Sequence, residues 1–215
     1  SKLVNDLSKK LSVHALAALL LLSAAASAYS APKTVLVLGD SLSAEYGLAR
    51  GAGWVALAEK KIKDEKIDAV IVNASVSGET TSGGRSRLPA LLDKYKPALV
   101  VVELGANDAL RGLPVPAAQA NLRAIAEATT RAGAKVMLIG MRIPPNYGRD
   151  YADKFFAMYG ALGKEFNAPL VPFMLDGVAE KPNLFQPDRL HPLAAAHPII
   201  LANIWPVLQK TIKAK

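Results

Sequence analysis

Five apolar, β-branched-rich runs recur along the chain: TVLVL (34–38), DAVIVNA (68–74), ALVVVEL (98–104), KVMLIGM (135–141) and PLVPFML (169–175). Each is continuous and does not alternate with polar residues, which is the pattern of strands covered on both faces. Between the runs, apolar residues return with helical spacing. GWVALAEKKIKDEKI brings Trp54, Leu57, Ala58 and Ile62 to one face, and RLPALLDKYK follows the second run. PAAQANLRAIAEATTRAG turns Leu122, Ile125 and Ala126 inward and meets a stop signal at Gly133. DYADKFFAMYGALGKEF follows the fourth run, and AAAHPIILANIWPVLQKTI closes the chain. Pro198 is tolerated in the first turn of that last helix, whereas Pro206 is expected to kink it. Strand–helix alternation predicts an α/β fold, a parallel sheet with helices on both sides and right-handed crossovers. In such sheets the chemistry gathers beyond the carboxyl ends of the strands.

The first 28 residues follow a different pattern. Lys2, Lys9 and Lys10 precede the apolar stretch LSVHALAALLLLSAAASA, which ends in Ala26-Ser27-Ala28. That order predicts a signal peptide over 1–28, cleaved before Tyr29, and a single domain over 29–215. The leucine-dense segment is shorter than the roughly 20 residues of a spanning helix, and His14 interrupts its start. Export to the periplasm or the medium is the expectation. The chain has no cysteine, which excludes disulfides, thiolate metal sites, a lipid-anchored Cys and a Cys nucleophile.

The formal charge is +8, and it stays positive without residues 1–28. The basic residues are scattered through EKKIKDEK, GGRSRL and QKTIKAK and mixed with acids. No basic stripe interleaved with aromatics appears, so a nucleic-acid partner is not expected. The charge reads as a solvated surface, with at most transient contact with a membrane surface.

Polar clusters interrupt the pattern where the strands end. GDSLSAEYG follows the first run, NASVSGETT the second and GANDALRG the third, and QPDRLHP follows the fifth after a loop. A serine hydroxyl is a poor nucleophile until a base takes its proton, and without cysteine a histidine is the natural base. Beyond the leader there are two, His191 and His197. Asp188 lies three residues before His191, in a loop framed by Pro187 and Pro192, where a carboxylate could meet the imidazole Nδ1–H. By itself such an Asp-x-x-His is more often a solvated loop than a dyad. His197 has no nearby acid and reads as a packing or surface residue. Acyl transfer also needs donors for an oxyanion, each worth about 10²–10³ in rate. Gly78 and Asn107 are of the right types, although taken singly each reads first as an ordinary turn glycine and a helix cap. G-x-S-x-G, phosphate-loop, dinucleotide and histidine-rich metal motifs are absent from the sequence, so no cofactor and no metal is expected. Glu103 interrupts a buried run, where an unpaired carboxylate is costly. Arg142 is expected to pair with it.

Taken together, GDSLSAEYG, NASVSGETT, LGANDALRG and DRLHP resemble, in order and approximate spacing, the four blocks of the GDSL or SGNH hydrolases. With MRIPPNYG after the fourth strand, the likeness is to the bacterial acyl-CoA thioesterase I, arylesterase and lysophospholipase branch. The resemblance implies a flavodoxin-like three-layer α/β/α sandwich with a five-stranded parallel sheet in the order 2-1-3-4-5. It implies Ser41 as nucleophile, His191 as base and Asp188 as the acid that orients it. The oxyanion donors would be the Ser41 and Gly78 backbone N–H groups and the Asn107 amide. A small acyl ester or thioester substrate and export to the periplasm follow from the same likeness, and a monomer is expected. Leu110, Leu113, Ile143, Pro144, Pro145 and Tyr147 follow the third block and the fourth strand. They could line an apolar acyl groove, or simply pack their loops. Glu45 departs from the pattern, standing where many relatives carry a small residue, and is expected to narrow or charge the site mouth. A carbohydrate deacetylase and a non-catalytic lipid-binding protein on the same fold are the competing readings.

Overall fold

In the computed structural model, which describes residues 31–214, each apolar run contributes a strand. These are β1 (Lys33–Gly39), β2 (Ala69–Asn73), β3 (Leu99–Glu103), β4 (Lys135–Ile139) and β5 (Leu170–Val171). They form one sheet in the order β2-β1-β3-β4-β5, with every neighbouring pair parallel. β3 is buried along its whole length because β1 and β4 flank it and helices cover both faces. β2 lies at one edge and exposes Val70. β5 is much shorter than its apolar run. Pro169 and Pro172 bracket it, and a proline has no N–H with which to extend the ladder.

Among the described residues, five α-helices lie in the crossovers and a sixth follows β5: α1 (Trp54–Asp64), α2 (Thr81–Tyr95), α3 (Ala106–Leu110), α4 (Val115–Arg131), α5 (Arg149–Glu165) and α6 (His197–Lys213). α1 packs with α6, while α4 packs with both α2 and α5, giving helical layers on the two sides of the sheet. The expected inward faces hold. Trp54, Ala58 and Ile62 of α1 are buried with Val55, and Leu57 is half-buried. Leu122, Ile125 and Ala126 of α4 are buried as well.

α2 begins at Thr81, inside a block that reads as loop. Its first turn contains Ser82, Gly83 and Gly84, which carry no apolar periodicity and little helix propensity. Caps take over that work. Thr80 Oγ1 accepts from the Gly83 N–H at 3.3 Å, and Asp108 holds the Thr81 N–H and hydroxyl at 2.8 and 2.5 Å. α6 runs on through Pro206, which is exposed on the outer side. His197 is buried, and its Nδ1 accepts from the Trp54 N–H at 2.9 Å. It thereby caps α1, whose own N-cap, Gly53, has no side chain for the task. Burial pushes the His197 imidazole below its ordinary pKa, keeping Nδ1 free to accept. No helix among the described residues is long and apolar enough to cross a membrane. The expected signal peptide, residues 1–28, lies outside the described residues.

Candidate active site

Strand β1 must turn sharply to expose Ser41. A Cβ on Gly39 would lie 2.8 Å from Ser43 Cβ and 2.9 Å from Glu103 Oε2, so only glycine fits there. Asp40 then organises the turn. Its carbonyl accepts from the N–H groups of Ser43 and Ala44, and its Oδ1 accepts from the Leu42 N–H at 3.0 Å. Ser41 is left half-buried at the carboxyl edge of the sheet.

The loop carrying Asp188 and His191 is closed by a bridge between Phe185 and Pro192, and the Gln186 N–H donates to the His191 carbonyl at 2.8 Å. Arg189 takes the left-handed conformation, φ 59°, at the tip. Asp188 Oδ1 accepts from the N–H groups of Leu190 and His191 at 2.9 and 3.0 Å, leaving Oδ2 at 2.6 Å from His191 Nδ1. Burial raises the Asp188 pKa, but the His191 ring and the two N–H groups outweigh it and hold the carboxyl down at about 2. The carboxylate therefore takes the Nδ1–H and leaves Nε2 as an acceptor. That nitrogen lies 2.9 Å from Ser41 Oγ, across 150 residues of sequence. Gln186 Nε2 donates to the Tyr46 carbonyl at 2.9 Å and pins this loop to the serine loop. The Tyr46 ring lies 4.3 Å from the imidazole, centroid to centroid. Gln186 and Tyr46 both lie within the polar blocks of the sequence, but nothing in their spacing indicates these contacts.

Gly78 has φ +80°, a conformation that asks for glycine even though a Cβ there would meet only the Arg111 guanidinium, at 3.8 Å. Arg111 Nη2 donates to the Gly78 carbonyl at 2.9 Å. The N–H groups of Ser41 and Gly78 have no hydrogen-bond partner among the described residues. Asn107 Nδ2 is 3.0 Å from both Asp40 Oδ2 and the Glu79 carbonyl. Its amide thus bridges the first three polar blocks. Asp108, the next residue, reinforces the same junction through Thr81.

Glu103 does not pair with Arg142. Its Oε2 accepts from the Ser43 hydroxyl at 2.7 Å and the Asp40 N–H at 3.2 Å, and Trp54 Nε1 donates to the same hydroxyl at 3.1 Å. In register Glu103 lies beside Gly39 of β1, where the missing side chain makes room for it. Arg142 comes after β4 has ended, is exposed, and lies over the Phe156 ring at 3.7 Å. Glu45 likewise departs from expectation. Its carboxylate accepts from the N–H groups of Gly51 and Gly53 at 2.8–3.1 Å, so it closes its own loop. The side chain is thus turned into its own loop and does not hang free at the mouth.

Asp40 and Glu103 form a buried carboxylate pair beneath Ser41. Burial, with the Asp40 charge beside it, pushes Glu103 well above the ordinary carboxylate range. Burial also pushes Asp40 up to about 6, against the pull of the Leu42 N–H, Glu103, His191 and Asn107. The folded chain therefore keeps a proton that the unfolded chain gives up near 3.8. The stability this contributes is complete below that value and lost as pH rises through about 6. Asp40→Asn cannot titrate. The wild-type melting temperature minus that of Asp40→Asn should therefore fall between about pH 4 and pH 7. A difference that is flat with pH in calorimetry would mean that Asp40 titrates alike in both states.

Of the candidate acyl-contact residues, Leu110 is half-buried, Leu113, Pro144 and Tyr147 are exposed, and Ile143 belongs to the core. Pro145 opens a short 3₁₀ turn, Pro145–Tyr147. Tyr151 Oη donates to the Leu113 carbonyl at 2.6 Å, tying α5 to the loop before α4. Among the described residues, no group of three or more His, Asp or Glu could hold a metal ion.

A hydroxyl, an imidazole and a carboxylate bonded in series, at the carboxyl edge of a parallel sheet and beside unpartnered N–H groups, belong to the serine ester hydrolases. The particular family follows from comparison. The chain belongs to the GDSL-like lipase/acylhydrolase family, whose model matches residues 37–199. Esterase TesA of Pseudomonas aeruginosa is 49% identical over 180 residues, covering 84% of this chain and 90% of the relative. Thioesterase 1/protease 1/lysophospholipase L1 of Escherichia coli is 44% identical over 171 residues, covering 80% and 81% respectively. The crystal structure of the psychrotrophic esterase EstA from Pseudoalteromonas, inhibited by monoethylphosphonate, matches with a TM-score of 0.81 at 42% identity, covering 85% of this chain and all of that one. The chain is a carboxylic ester or thioester hydrolase of the SGNH fold.

Proposed function

We propose that Ser41, His191 and Asp188 carry the reaction through an acyl-enzyme, on aryl esters, acyl-CoA thioesters or lysophospholipids. The reading rests above all on the 2.9 Å contact between Ser41 Oγ and His191 Nε2. Ser41 Oγ attacks the acyl carbon while its proton passes to His191 Nε2. The oxyanion is met by the N–H groups of Ser41 and Gly78, and by an Asn107 N–H shared with its present acceptors. The intermediate collapses, the ester C–O or thioester C–S bond breaks, and Nε2–H protonates the leaving group. Water, deprotonated by the same nitrogen, then releases the carboxylic acid and restores Ser41. Asp188 orients the ring throughout and stabilises its cationic form.

Leu113 and Tyr147, exposed on neighbouring connections, are the side chains best placed to meet an acyl chain. The relatives' names support the acyl-ester class over a sugar deacetylase. The apolar leader supports export, and the enzyme is read as a periplasmic monomer. A fluorophosphonate probe tests the nucleophile. It should add to the purified chain once, on the peptide containing Ser41, and abolish hydrolysis of a p-nitrophenyl ester. Labelling elsewhere, or none, would overturn the assignment and revive a binding protein on this fold.

A further inference from the structure

Among the described residues, the exposed large apolar side chains are concentrated at one end of the molecule. Tyr46, Val76, Leu113, Tyr147, Leu190 and Leu193 all stand on connections at the carboxyl edge of the sheet, and each of the five connections supplies at least one. Val70, on the edge strand, is the exception. Loops as such do not account for this. The turns at the opposite edge expose Lys66, Asp68, Lys96 and Asn167. Isolated exposed apolar residues are ordinary, but a collar of them marks an interaction surface.

The charges on the same connections point to the partner. Arg50, Arg111, Arg142, Arg149 and Arg189 are all exposed there. The nearby acids are engaged: Asp188 with His191, Asp150 with Lys154 and Glu45 with the N–H groups of Gly51 and Gly53. Asp176 and Glu180, nearer β5 in the chain, and Asp153, four residues after Arg149 in α5, are the other exposed acids at this edge. Separate apolar points, two tyrosines and arginines interleaved around one rim match the physical layers of a lipid surface, with acyl chains below, an aromatic-friendly interface, and phosphates above. The exposed cations on this rim outnumber the acids left without a partner, and that charge favours an anionic lipid surface over a second copy, whose identical rim would repel it.

We infer that the active-site edge docks on an anionic lipid surface, with Val76, Leu113, Tyr147, Leu190 and Leu193 entering the headgroup–acyl boundary and the arginines at phosphate level. The consequence for catalysis, that an acyl ester passes from the lipid to Ser41 without crossing water, rests on the proposed role of Ser41. The docking itself does not.

Because the chain has no cysteine, Leu193→Cys and Lys66→Cys each give one labelling site for an environment-sensitive dye. Both are made in the Ser41→Ala background, so no turnover enters the measurement. With phosphatidylglycerol vesicles at low salt, the dye at position 193 should shift to the blue and the dye at 66 should not. Phosphatidylcholine vesicles should give little shift. Arg50→Glu/Arg149→Glu should raise the lipid concentration for half-maximal shift at least tenfold, while hydrolysis of a short, water-soluble ester in the Ser41 protein is unchanged. No shift at 193, equal shifts at both positions, or indifference to the arginine changes would overturn the docking. A concentration-dependent shift at 193 without lipid would assign the face to a second copy instead.

Discussion

Replacing Ser41 by alanine should lower kcat for a p-nitrophenyl ester by about 10⁴–10⁶ with the fold intact. In the proposed mechanism the missing oxygen is the one that forms the acyl bond, and Leu42 and Ser43, the next residues, are buried and cannot stand in for it. What survives is whatever the backbone N–H at position 41, the Gly78 N–H and the Asn107 amide contribute by holding a polarised carbonyl for attack by water, about 10³–10⁴ over the uncatalysed rate. Stability should change little. The Ser41 side chain makes one hydrogen bond, to His191, whereas the turn around it is held by the Asp40 carbonyl and carboxylate. Melting temperature and far-ultraviolet dichroism should therefore match the wild type. Activity within tenfold of wild type in a well-folded variant would remove Ser41 from the chemistry.

The architecture was legible because two-sided burial writes itself as continuous apolar runs, and one-sided burial as helical spacing. Where polar groups do the structural work, that signal fails. α2 starts at Thr81 through caps from Thr80 and Asp108, and no apolar period announces it. β5 stops where prolines withhold N–H groups, although its run stays apolar. Ser41, Asp188 and His191 could be singled out as candidates by chemical type and by family resemblance, and the fold brings the three into hydrogen-bond contact. The partner of Glu103 could not. It depends on the space left by Gly39 and on a hydroxyl 60 residues away, neither of which any spacing rule reports. Glu45 fails for the same reason. Its φ of 60° and its bonds to Gly51 and Gly53 are properties of a closed loop, and a residue-type comparison sees only an added charge.

Asp188→Asn should cost about 10⁴ in kcat by a different route. The carboxylate has two duties here. Oδ1 receives two backbone N–H groups that shape the turn, and Oδ2 receives the His191 Nδ1–H. Asparagine offers one oxygen and one NH₂. If the oxygen keeps the turn, the NH₂ faces Nδ1, which must then accept, and the ring proton moves to Nε2. An Nε2–H donates to Ser41 Oγ and cannot take its proton. The turn survives, so KM and the melting temperature near neutral pH should stay close to wild type while kcat falls. Asp188→Ala, in contrast, should also loosen the loop. The acid side offers a separate check. The Asp188 carboxyl is held down at about 2, below the 3.8 of an ordinary aspartate, so its contribution to stability is present above the ordinary value and lost as pH falls through about 2. Exposure and solvent screening keep that contribution modest. The asparagine variant has no such loss, and its melting temperature should decline less steeply than that of the wild type between about pH 4 and pH 2. Unchanged kcat would mean that the carboxylate does not set the tautomer, and parallel acid profiles would mean that Asp188 titrates alike in the folded and unfolded chains.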